Sequence, residues 1–268
     1  MGAEAPPPTR DLRVVAMNNA DELGYLGQQA VAEAVSPDDD YRIVGGHMVR
    51  LLLKAYPTSA ATPRSTLDAD AAVGDVEVIG PLSVRLVAQD FVKDGGNIFR
   101  KQVGGEKPIE INLLLSRLDH SQGVRQRTVE GVGQVDTLPE LSWAMASEPL
   151  VLDVTAVLLD GRTITYRTRI PDIEAAVVLK AHAWKARRMQ SDKDLADLRT
   201  LFEIRHAYRE LPWRLDEPDL RGFRKDGARA LHELASTVTR KSAMYRVPAH
   251  LDRKHLAALI NRYVTSVK

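Results

Sequence analysis

The stretch VGGHMVRLLLKAYPTSAATPRSTLDAD, residues 44–70, gives the strongest indication of both fold and chemistry in this chain. The pair Gly45–Gly46 opens an apolar helix, and the stretch ends in two aspartates separated by one residue. Because alternate side chains of a strand share a face, Thr66, Asp68 and Asp70 are predicted to point the same way, with the carboxylates about 7 Å apart. Two such carboxylates beside a glycine turn at a helix N-terminus can hold a divalent cation and a polyphosphate together. A solvated strand face is the alternative interpretation.

The composition is that of an ordinary globular protein and excludes several kinds of site. The chain has 268 residues, of which 44% are hydrophobic and 27% charged, and it contains no cysteine. Disulfides, thiolate metal sites and cysteine nucleophiles are therefore excluded. No stretch approaches the roughly 20 apolar residues of a membrane span, and the first ten residues lack the pattern of a secretory signal. We expect residues 1–10 to form a mobile tail, and the protein to be soluble, cytoplasmic and without a membrane partner.

The formal net charge of +1 hides an uneven distribution along the chain. Residues 221–268 contain 11 Lys or Arg and 3 Asp or Glu, whereas the remaining residues contain 26 and 33. An acidic body with a basic C-terminal section is typical of a protein that holds a polyanion with one lobe. If that polyanion is RNA, we expect its backbone at four cations on two turns of one predicted helix: Arg221, Arg224, Lys225 and Arg229. Cations exposed on an ordinary solvated helix are the alternative.

The predicted elements divide the chain into a mixed α/β half and a helical half. In the first half, we predict helices over residues 20–35, 45–55, 82–92 and 139–146, and strands over residues 41–44, 66–73, 76–79, 97–103, 109–115, 150–158 and 163–170. In the second half, the predicted helices cover residues 172–189, 193–208, 223–244 and 251–267. Strands followed by a run of helices indicate an α+β fold. The expected domains are an α/β domain over residues 11–170 and a helical C-terminal lobe over residues 171–268.

A second strand offers a third carboxylate. In the run IEIN, residues 109–112, Glu110 and Asn112 share one face and the isoleucines share the other. An acid among apolar residues costs desolvation free energy unless a cation or hydrogen bonds compensate. A third acid near a two-carboxylate metal site could complete the ligand set or take the proton from an attacking hydroxyl. An edge strand with a wet face is the alternative.

The helical half contains a lysine and two aspartates at helical spacings. Lys180 follows an apolar run, and a lysine that emerges from such a run can meet phosphate as a point charge. Lys180, Trp184 and Arg187 fall on one stripe of the same helix. Asp194 and Asp197 lie one turn apart on the next helix and could orient Lys180. The alternative is a solvated acidic face near a helix start, where carboxylates suit the helix dipole.

Taken in this order along the chain, these motifs resemble those of the AbiEii/MenT nucleotidyltransferase toxin family, a branch of the DNA polymerase β-like nucleotidyltransferase superfamily. The resemblance covers roughly residues 41–208 and implies a mixed sheet with a helical C-terminal lobe. The resemblance rests on the glycine pair and on the motifs R-x-T-x-D-x-D, K-x-H-A and K-D-x-x-D-L, which begin at Gly45, Arg64, Lys180 and Lys193, respectively. It implies triphosphate binding by backbone amides at Gly45 and Gly46, a site rim at Arg64 and Thr66, magnesium binding by Asp68 and Asp70, phosphate contact by Lys180 and support by Asp197.

We therefore predict a Mg²⁺-dependent nucleotidyltransferase toxin that transfers nucleotides from a nucleoside triphosphate to an RNA acceptor, favouring the 3′ end of tRNA. Such an enzyme would block translation, which implies a cognate antitoxin. Glu110 is taken as the third acid, which activates the acceptor hydroxyl, because Asn112 cannot serve as a base. Two alternatives stay open: transfer to protein hydroxyls or to a small molecule, and a degenerate nucleotide-binding protein without catalysis.

Two residues beside these motifs carry subsidiary predictions. Ala69 is small for a position between two acids, and we expect it to loosen the packing beneath them. His47 directly follows the glycine pair. We expect an ordinary surface imidazole there, with a phosphate contact as the alternative.

Overall fold

The computed structural model describes residues 9–36, 38–119, 123–240 and 244–267. Within them the chain forms ten strands and eight helices, which confirms the predicted α+β class with a mixed sheet. No helix in this part of the chain combines the length and the apolar character that a bilayer span requires. Residues 1–8, most of the expected tail, lie outside the described residues.

The strands and helices are numbered here in chain order. The strands are β1 (Thr9–Val15), β2 (Tyr41–Ile43), β3 (Asp68–Val73), β4 (Val92–Lys93), β5 (Ile98–Lys101), β6 (Ile109–Ser116), β7 (Arg125–Val129), β8 (Gly133–Leu138), β9 (Leu150–Val157) and β10 (Thr163–Ile170). The helices are α1 (Asn19–Ala34), α2 (Gly45–Ala55), α3 (Val76–Ala88), α4 (Pro139–Ala146), α5 (Ile173–Arg187), α6 (Lys193–Ala207), α7 (Gly222–Val238) and α8 (Arg253–Tyr263).

The chain forms two compact units whose sequences are interleaved. Unit 1 comprises Met1–Met48 and Ser65–Asp172, and unit 2 comprises Val49–Arg64 and Ile173–Lys268. All the described strands belong to unit 1, together with α1, α3 and α4. Helices α5 to α8 belong to unit 2, and α2 begins in unit 1 and continues into unit 2.

A seven-stranded mixed sheet forms the centre of unit 1. Its main path runs in the order β2-β3-β6-β5-β4, and β8 pairs with both β6 and β7. The pairs β3–β6 and β6–β8 are parallel, and the remaining pairs are antiparallel. The predicted alternation along β6 is confirmed, because Ile109, Ile111 and Leu113 are buried while Glu110 and Asn112 are half-buried on the other face.

A second sheet in unit 1 has the order β1-β9-β10. The predicted hairpin of β9 and β10 is confirmed, and β1 lies parallel to β9. Strand β1 was not predicted, and Thr9 and Arg10, expected in the mobile tail, are its first two residues. The strand is stabilised by pairing with a segment far along the chain, which the local sequence pattern does not reveal.

Helix α3 corrects the prediction of a strand over residues 76–79. The Asp75 side chain accepts a hydrogen bond from the backbone N–H of Glu77 over 3.2 Å, so it caps the helix N-terminus. The β-branched run that suggested a strand instead forms the first turn of α3. The helix ends at Ala88, and Val92, predicted as its last residue, lies in β4.

The small residue between the two aspartates packs tightly rather than loosely. Ala69 is fully buried, and α1 approaches β3 at Gly27. A Cβ atom added at Gly27 would lie 3.0 Å from the Cβ atom of Ala69. The expectation of loose packing is therefore wrong, because the small Ala69 side chain allows the close approach of α1.

The four predicted helices of the C-terminal half are confirmed, with earlier ends for the last two. Helix α7 ends at Val238 rather than at residue 244, and α8 ends at Tyr263. The helices of unit 2 bury leucines on their inner faces, for example Leu198 on α6, Leu231 on α7 and Leu256 on α8. Residues 241–243, the end of the helix predicted over 223–244, lie outside the described residues.

Candidate functional site

The two aspartates of the D-x-D run share one face of β3. Asp68 and Asp70 are half-buried, whereas Ala69 between them is fully buried on the opposite face. The hydroxyl of Thr66, itself a buried residue, donates to Oδ1 of Asp68 over 3.0 Å. This hydrogen bond helps to fix the orientation of the Asp68 carboxylate.

Helix α2 begins directly against the second carboxylate. The backbone N–H of Val44 donates to the carbonyl oxygen of Asp70 over 2.9 Å, which joins the two segments one residue before the helix. Gly45 has a φ of +68°, in the left-handed region that favours glycine. A Cβ atom at Gly45 would lie 2.1 Å from Oδ2 of Asp70. The absence of a side chain at Gly45 is therefore what allows the Asp70 carboxylate to lie against the first turn of α2. Gly46, the second glycine, is buried.

The neighbouring strand β6 brings both candidates for the third position to the same face. The parallel register pairs Asp68 with Glu110 and Asp70 with Asn112. Nδ2 of Asn112 donates to Oδ1 of Asp70 over 3.3 Å. The Glu110 carboxylate accepts a hydrogen bond from Nε of Arg100 over 2.8 Å. Asn112 is thus a donor to the second aspartate, and Glu110 is a carboxylate held by an arginine beside the first.

His47 lies in the interior of unit 1, and the expectation of a surface imidazole is wrong. Its side chain is fully buried, and its ring centroid lies 6.3 Å from that of Tyr25. A Cβ atom at Gly24 would lie 2.0 Å from Nε2 of His47, so this glycine of α1 leaves the space that the imidazole fills. The feature of the sequence that could have indicated a buried imidazole was Gly24, a glycine inside the helix predicted over residues 20–35.

In unit 2, Lys180 is held between two aspartates. Nζ of Lys180 lies 3.2 Å from Oδ1 of Asp194 and 2.6 Å from Oδ2 of Asp197. The three side chains are 3%, 0% and 2% exposed, respectively. Helix α5 provides the lysine and α6 provides both aspartates. The alternative of a solvated acidic face is wrong, because the carboxylates are buried against a cation.

Two partly exposed arginines complete what we call the charge cluster, which consists of Arg64, Lys180, Arg187, Asp194 and Asp197. Arg64 binds Asp197 in a fork of 2.8 and 3.0 Å, and Arg187 binds Asp194 in a fork of 2.7 and 2.8 Å. Burial by itself would raise the pKa of the Asp194 carboxyl, but hydrogen bonding to Arg187 and the charge of Lys180 outweigh it and hold the pKa below its ordinary value.

Neither arginine fork was predicted from the sequence. Arg64 was expected at the rim of a triphosphate site; the structure places it in unit 2, as the last residue of Val49–Arg64, with its guanidinium on Asp197. For Arg187, the available signal was its position on the same helical stripe as Lys180. For Arg64, which lies 133 residues from Asp197, the sequence offers no comparable signal.

The four cations proposed for RNA differ in their surroundings. Arg224 forms an ion pair with Glu174, which is buried, and Arg229 lies 3.5 Å from Asp226. Arg221 is exposed and precedes α7. Arg221 and Lys225 line one surface groove together with Asp219 and the chain segment Ser266–Val267. The groove therefore contains two of the four cations, and Arg224 also helps to stabilise unit 2.

The donor set in unit 1 fits magnesium bound jointly with a phosphate. Among the residues that the structure describes, no group of three or more His, Cys, Asp or Glu could hold a metal ion. Magnesium commonly needs only one or two carboxylates, with phosphate and water oxygens as the other ligands. Asp68 and Asp70 share a half-buried face, and the missing side chain at Gly45 leaves the second carboxylate room against α2. These residues are compatible with that mode of binding.

No family model matches the chain, and no curated protein is significantly similar to it. Among solved structures, the chain is similar to one described as the crystal structure of an antigenic nucleotidyltransferase-like protein from Paracoccidioides brasiliensis. The TM-score is 0.42 and the sequence identity 14%, over 80% of this chain and 88% of that chain.

Proposed function

We propose that the chain is a Mg²⁺-dependent nucleotidyltransferase that transfers a nucleotide from a nucleoside triphosphate to RNA, at the 3′ end of tRNA. The observation that supports this most strongly is the contact between β3 and the start of α2, where the Asp70 carboxylate lies against Gly45. A bound polyphosphate needs a cation and hydrogen-bond donors, and helix N-termini provide such donors. This contact brings carboxylates and a helix N-terminus to one place.

The proposed reaction joins the oxygen of the acceptor hydroxyl to the α-phosphorus and breaks the bond between that phosphorus and the bridging oxygen, which leaves with pyrophosphate. Magnesium held by Asp68 and Asp70 would neutralise charge on the phosphate oxygens. Backbone N–H groups at Gly45 and Gly46 would orient the triphosphate. The hydrogen bond from Thr66 keeps the first carboxylate in place.

Glu110 is the proposed acceptor of the hydroxyl proton. Its register position beside Asp68 supports this role, and the 2.8 Å contact with Arg100 limits where its carboxylate can point. Asn112 has no group that can take a proton, so its part would be to hold the Asp70 carboxylate.

Lys180 is proposed to contact the triphosphate or the departing pyrophosphate, with Asp197 as its support. The family resemblance is the basis of this assignment. The groove lined by Arg221 and Lys225 is the proposed place for acceptor RNA. The resemblance likewise supports a toxin that blocks translation and is controlled by a cognate antitoxin.

A labelling experiment tests the proposed transfer. The purified chain is incubated with MgCl₂, total tRNA and each of the four nucleoside triphosphates labelled at the α-phosphate. We expect labelled RNA with at least one of them, no label from the same nucleotide labelled at the γ-phosphate, and no label when periodate has oxidised the 3′ end of the tRNA. Asp68→Ala should abolish the label, because the cation then loses one of its two carboxylates.

Each arm has an outcome that contradicts part of the proposal. Equal labelling by Asp68→Ala would overturn the assigned site. Labelled protein with unlabelled RNA would select protein as the acceptor, and label from the γ-phosphate would indicate phosphoryl transfer. Undiminished labelling of oxidised tRNA would exclude the 3′ end.

The hydrogen bond from Asn112 to Asp70 favours a second candidate, a nucleotide-binding protein without catalysis. An amide at this position provides neither a metal ligand of negative charge nor a base. This candidate predicts tight binding of Mg²⁺ and triphosphate by calorimetry, with no release of pyrophosphate. Asn112→Asp should then produce measurable transfer, whereas an active wild-type chain would exclude this candidate.

A further inference from the structure

Strand β1 leaves one edge of its sheet open in the part of the chain that the structure describes. It is the terminal strand of the order β1-β9-β10. Leu12 and Val14 are buried, while Asp11 and Arg13 are exposed on the other face. Among the described residues, neither Asp11 nor Arg13 has an ion-pair partner. An open edge with exposed N–H and C=O groups is a template for another strand.

The hydrogen bonds to β9 show which backbone groups point to this open edge. The N–H of Ala16 donates to the carbonyl oxygen of Val157 in β9 over 2.9 Å. Because backbone groups alternate along a strand, even-numbered residues of β1 bond to β9 and odd-numbered residues face away from it. The N–H and C=O groups of Asp11 and Arg13 therefore point to the open edge.

The charges select one register for the pairing of two such edges. In an antiparallel pair, residues whose backbone groups point to the open edge must lie opposite each other, since each such pair exchanges both hydrogen bonds. A register that places Asp11 opposite Asp11, or Arg13 opposite Arg13, brings like charges together. The register centred on Leu12 places Asp11 of each chain opposite Arg13 of the other, so both pairs attract.

The neighbouring strands add a reason for Asp11 to seek a cation. In the sheet, Asp11 is in register with Asp153, and the Asp153 carboxylate is bound by Arg167 over 2.7 and 2.9 Å. On its β9 side, Asp11 therefore faces another carboxylate whose arginine is already engaged. An arginine from a second copy would approach Asp11 from the open side.

We propose that two copies of this chain associate through β1, antiparallel and centred on Leu12, to form one continuous six-stranded sheet. The backbone groups of Asp11 and Arg13 provide the ladder, and their side chains provide two symmetric ion pairs. This interface is independent of the proposed nucleotidyl transfer.

Charge reversal tests the pairing on the full chain. Sedimentation equilibrium should show a concentration-dependent dimer of the wild-type protein. Asp11→Arg and Arg13→Asp should each weaken dimerisation by about tenfold or more, because both cross-strand pairs become repulsive. An equimolar mixture of the two single variants should form a heterodimer, since all its cross-strand pairs attract. The double variant Asp11→Arg/Arg13→Asp should dimerise like the wild type.

A cysteine tests the register itself in a chain that contains no other cysteine. Leu12→Cys places two Cα atoms about 4.5 Å apart across the centre of the pair, within disulfide range, so a covalent dimer should form on mild oxidation. Val15→Cys is the matched control, because Val15 lies opposite Thr9 of the other copy and should give no such dimer.

A wild-type chain that stays monomeric at high micromolar concentration would overturn the proposal. So would single charge variants that dimerise as well as the wild type while keeping its circular dichroism spectrum. Cross-linking through Val15→Cys but not through Leu12→Cys would exclude this register and the charge argument with it.

Discussion

The two pairs of aspartates in this molecule have the same charge and opposite surroundings. In unit 1, Asp68 and Asp70 are half-buried and accept hydrogen bonds from a hydroxyl and an amide. In unit 2, Asp194 and Asp197 are buried and are bound by a lysine and by arginine forks. The first pair lies on a partly solvated strand face, whereas the second pair is enclosed among cations within unit 2.

The two pairs therefore differ in how strongly the stability of the fold depends on them. A buried carboxylate with cationic partners lies in an arrangement where the loss of one member leaves charge without compensation. A carboxylate on a partly solvated strand face is less costly to the fold when it is replaced, because water screens its interactions. The same residue type should therefore give opposite results in stability and in ligand-binding experiments.

The largest effect is expected on removal of a fully buried carboxylate. Asp194→Ala leaves Lys180 and Arg187 short of an anion and should lower the free energy of unfolding by about 3–5 kcal/mol. Asp68→Ala is the matched control, with a change within about 1 kcal/mol and loss of Mg²⁺–triphosphate binding. Urea unfolding at pH 7, with calorimetry of the nucleotide, measures both. Equal destabilisation by Asp194→Ala and Asp68→Ala would contradict the expected difference between the two aspartate pairs.

A smaller effect is expected at the contact of α2 with β3. Gly45→Ala puts a Cβ atom 2.1 Å from Oδ2 of Asp70 at a φ of +68° and should lower stability by about 1–3 kcal/mol, with weaker binding of Mg²⁺ and triphosphate. Gly161→Ala, in the turn between β9 and β10, is the matched control, because its φ is +85° and nothing lies within 4 Å of the added atom. There, only the cost of a left-handed backbone, about 1 kcal/mol, is expected, with nucleotide binding unchanged. Unchanged nucleotide affinity in Gly45→Ala would argue against the assigned contact.

The smallest effect is the acid sensitivity that Asp194 contributes. Its pKa in the folded protein is lowered, so its stabilisation is fully present above about pH 4, the unfolded value, and is lost as the pH falls through the folded value. The urea midpoint of the wild type should therefore fall between pH 5 and pH 3 more steeply than that of Asp194→Asn. Parallel curves would show that the carboxylate is not the titrating group.

Local patterns predicted those elements whose partners are close in sequence. Helix α2 has the predicted bounds, and the β9–β10 hairpin follows from two alternating runs around Asp160–Gly161. Strand β1 could not be predicted, because TRDLRVV becomes a strand only by pairing with β9. At α3, a side-chain cap at Asp75 outweighed a β-branched run.

In the candidate site, too, local sequence patterns predicted only the features that do not depend on distant parts of the chain. The shared face of Asp68 and Asp70 follows from the period of a strand. The choice between Glu110 and Asn112 does not, since both have the same parity and only the pairing of β3 with β6 shows which aspartate each accompanies. The fork from Arg64 to Asp197 depends on tertiary packing, to which neither helical nor strand periodicity refers.

The interleaved order of the two units has a practical consequence for dissecting the protein. No single cut yields either unit whole: a fragment that stops at Asp172 retains Val49–Arg64 without Ile173–Lys268, with which that segment forms unit 2. Such a truncated chain would expose the apolar C-terminal half of α2 and leave Arg64 without Asp197. The role of each unit is therefore better tested by point substitutions in the full-length chain than by deletion.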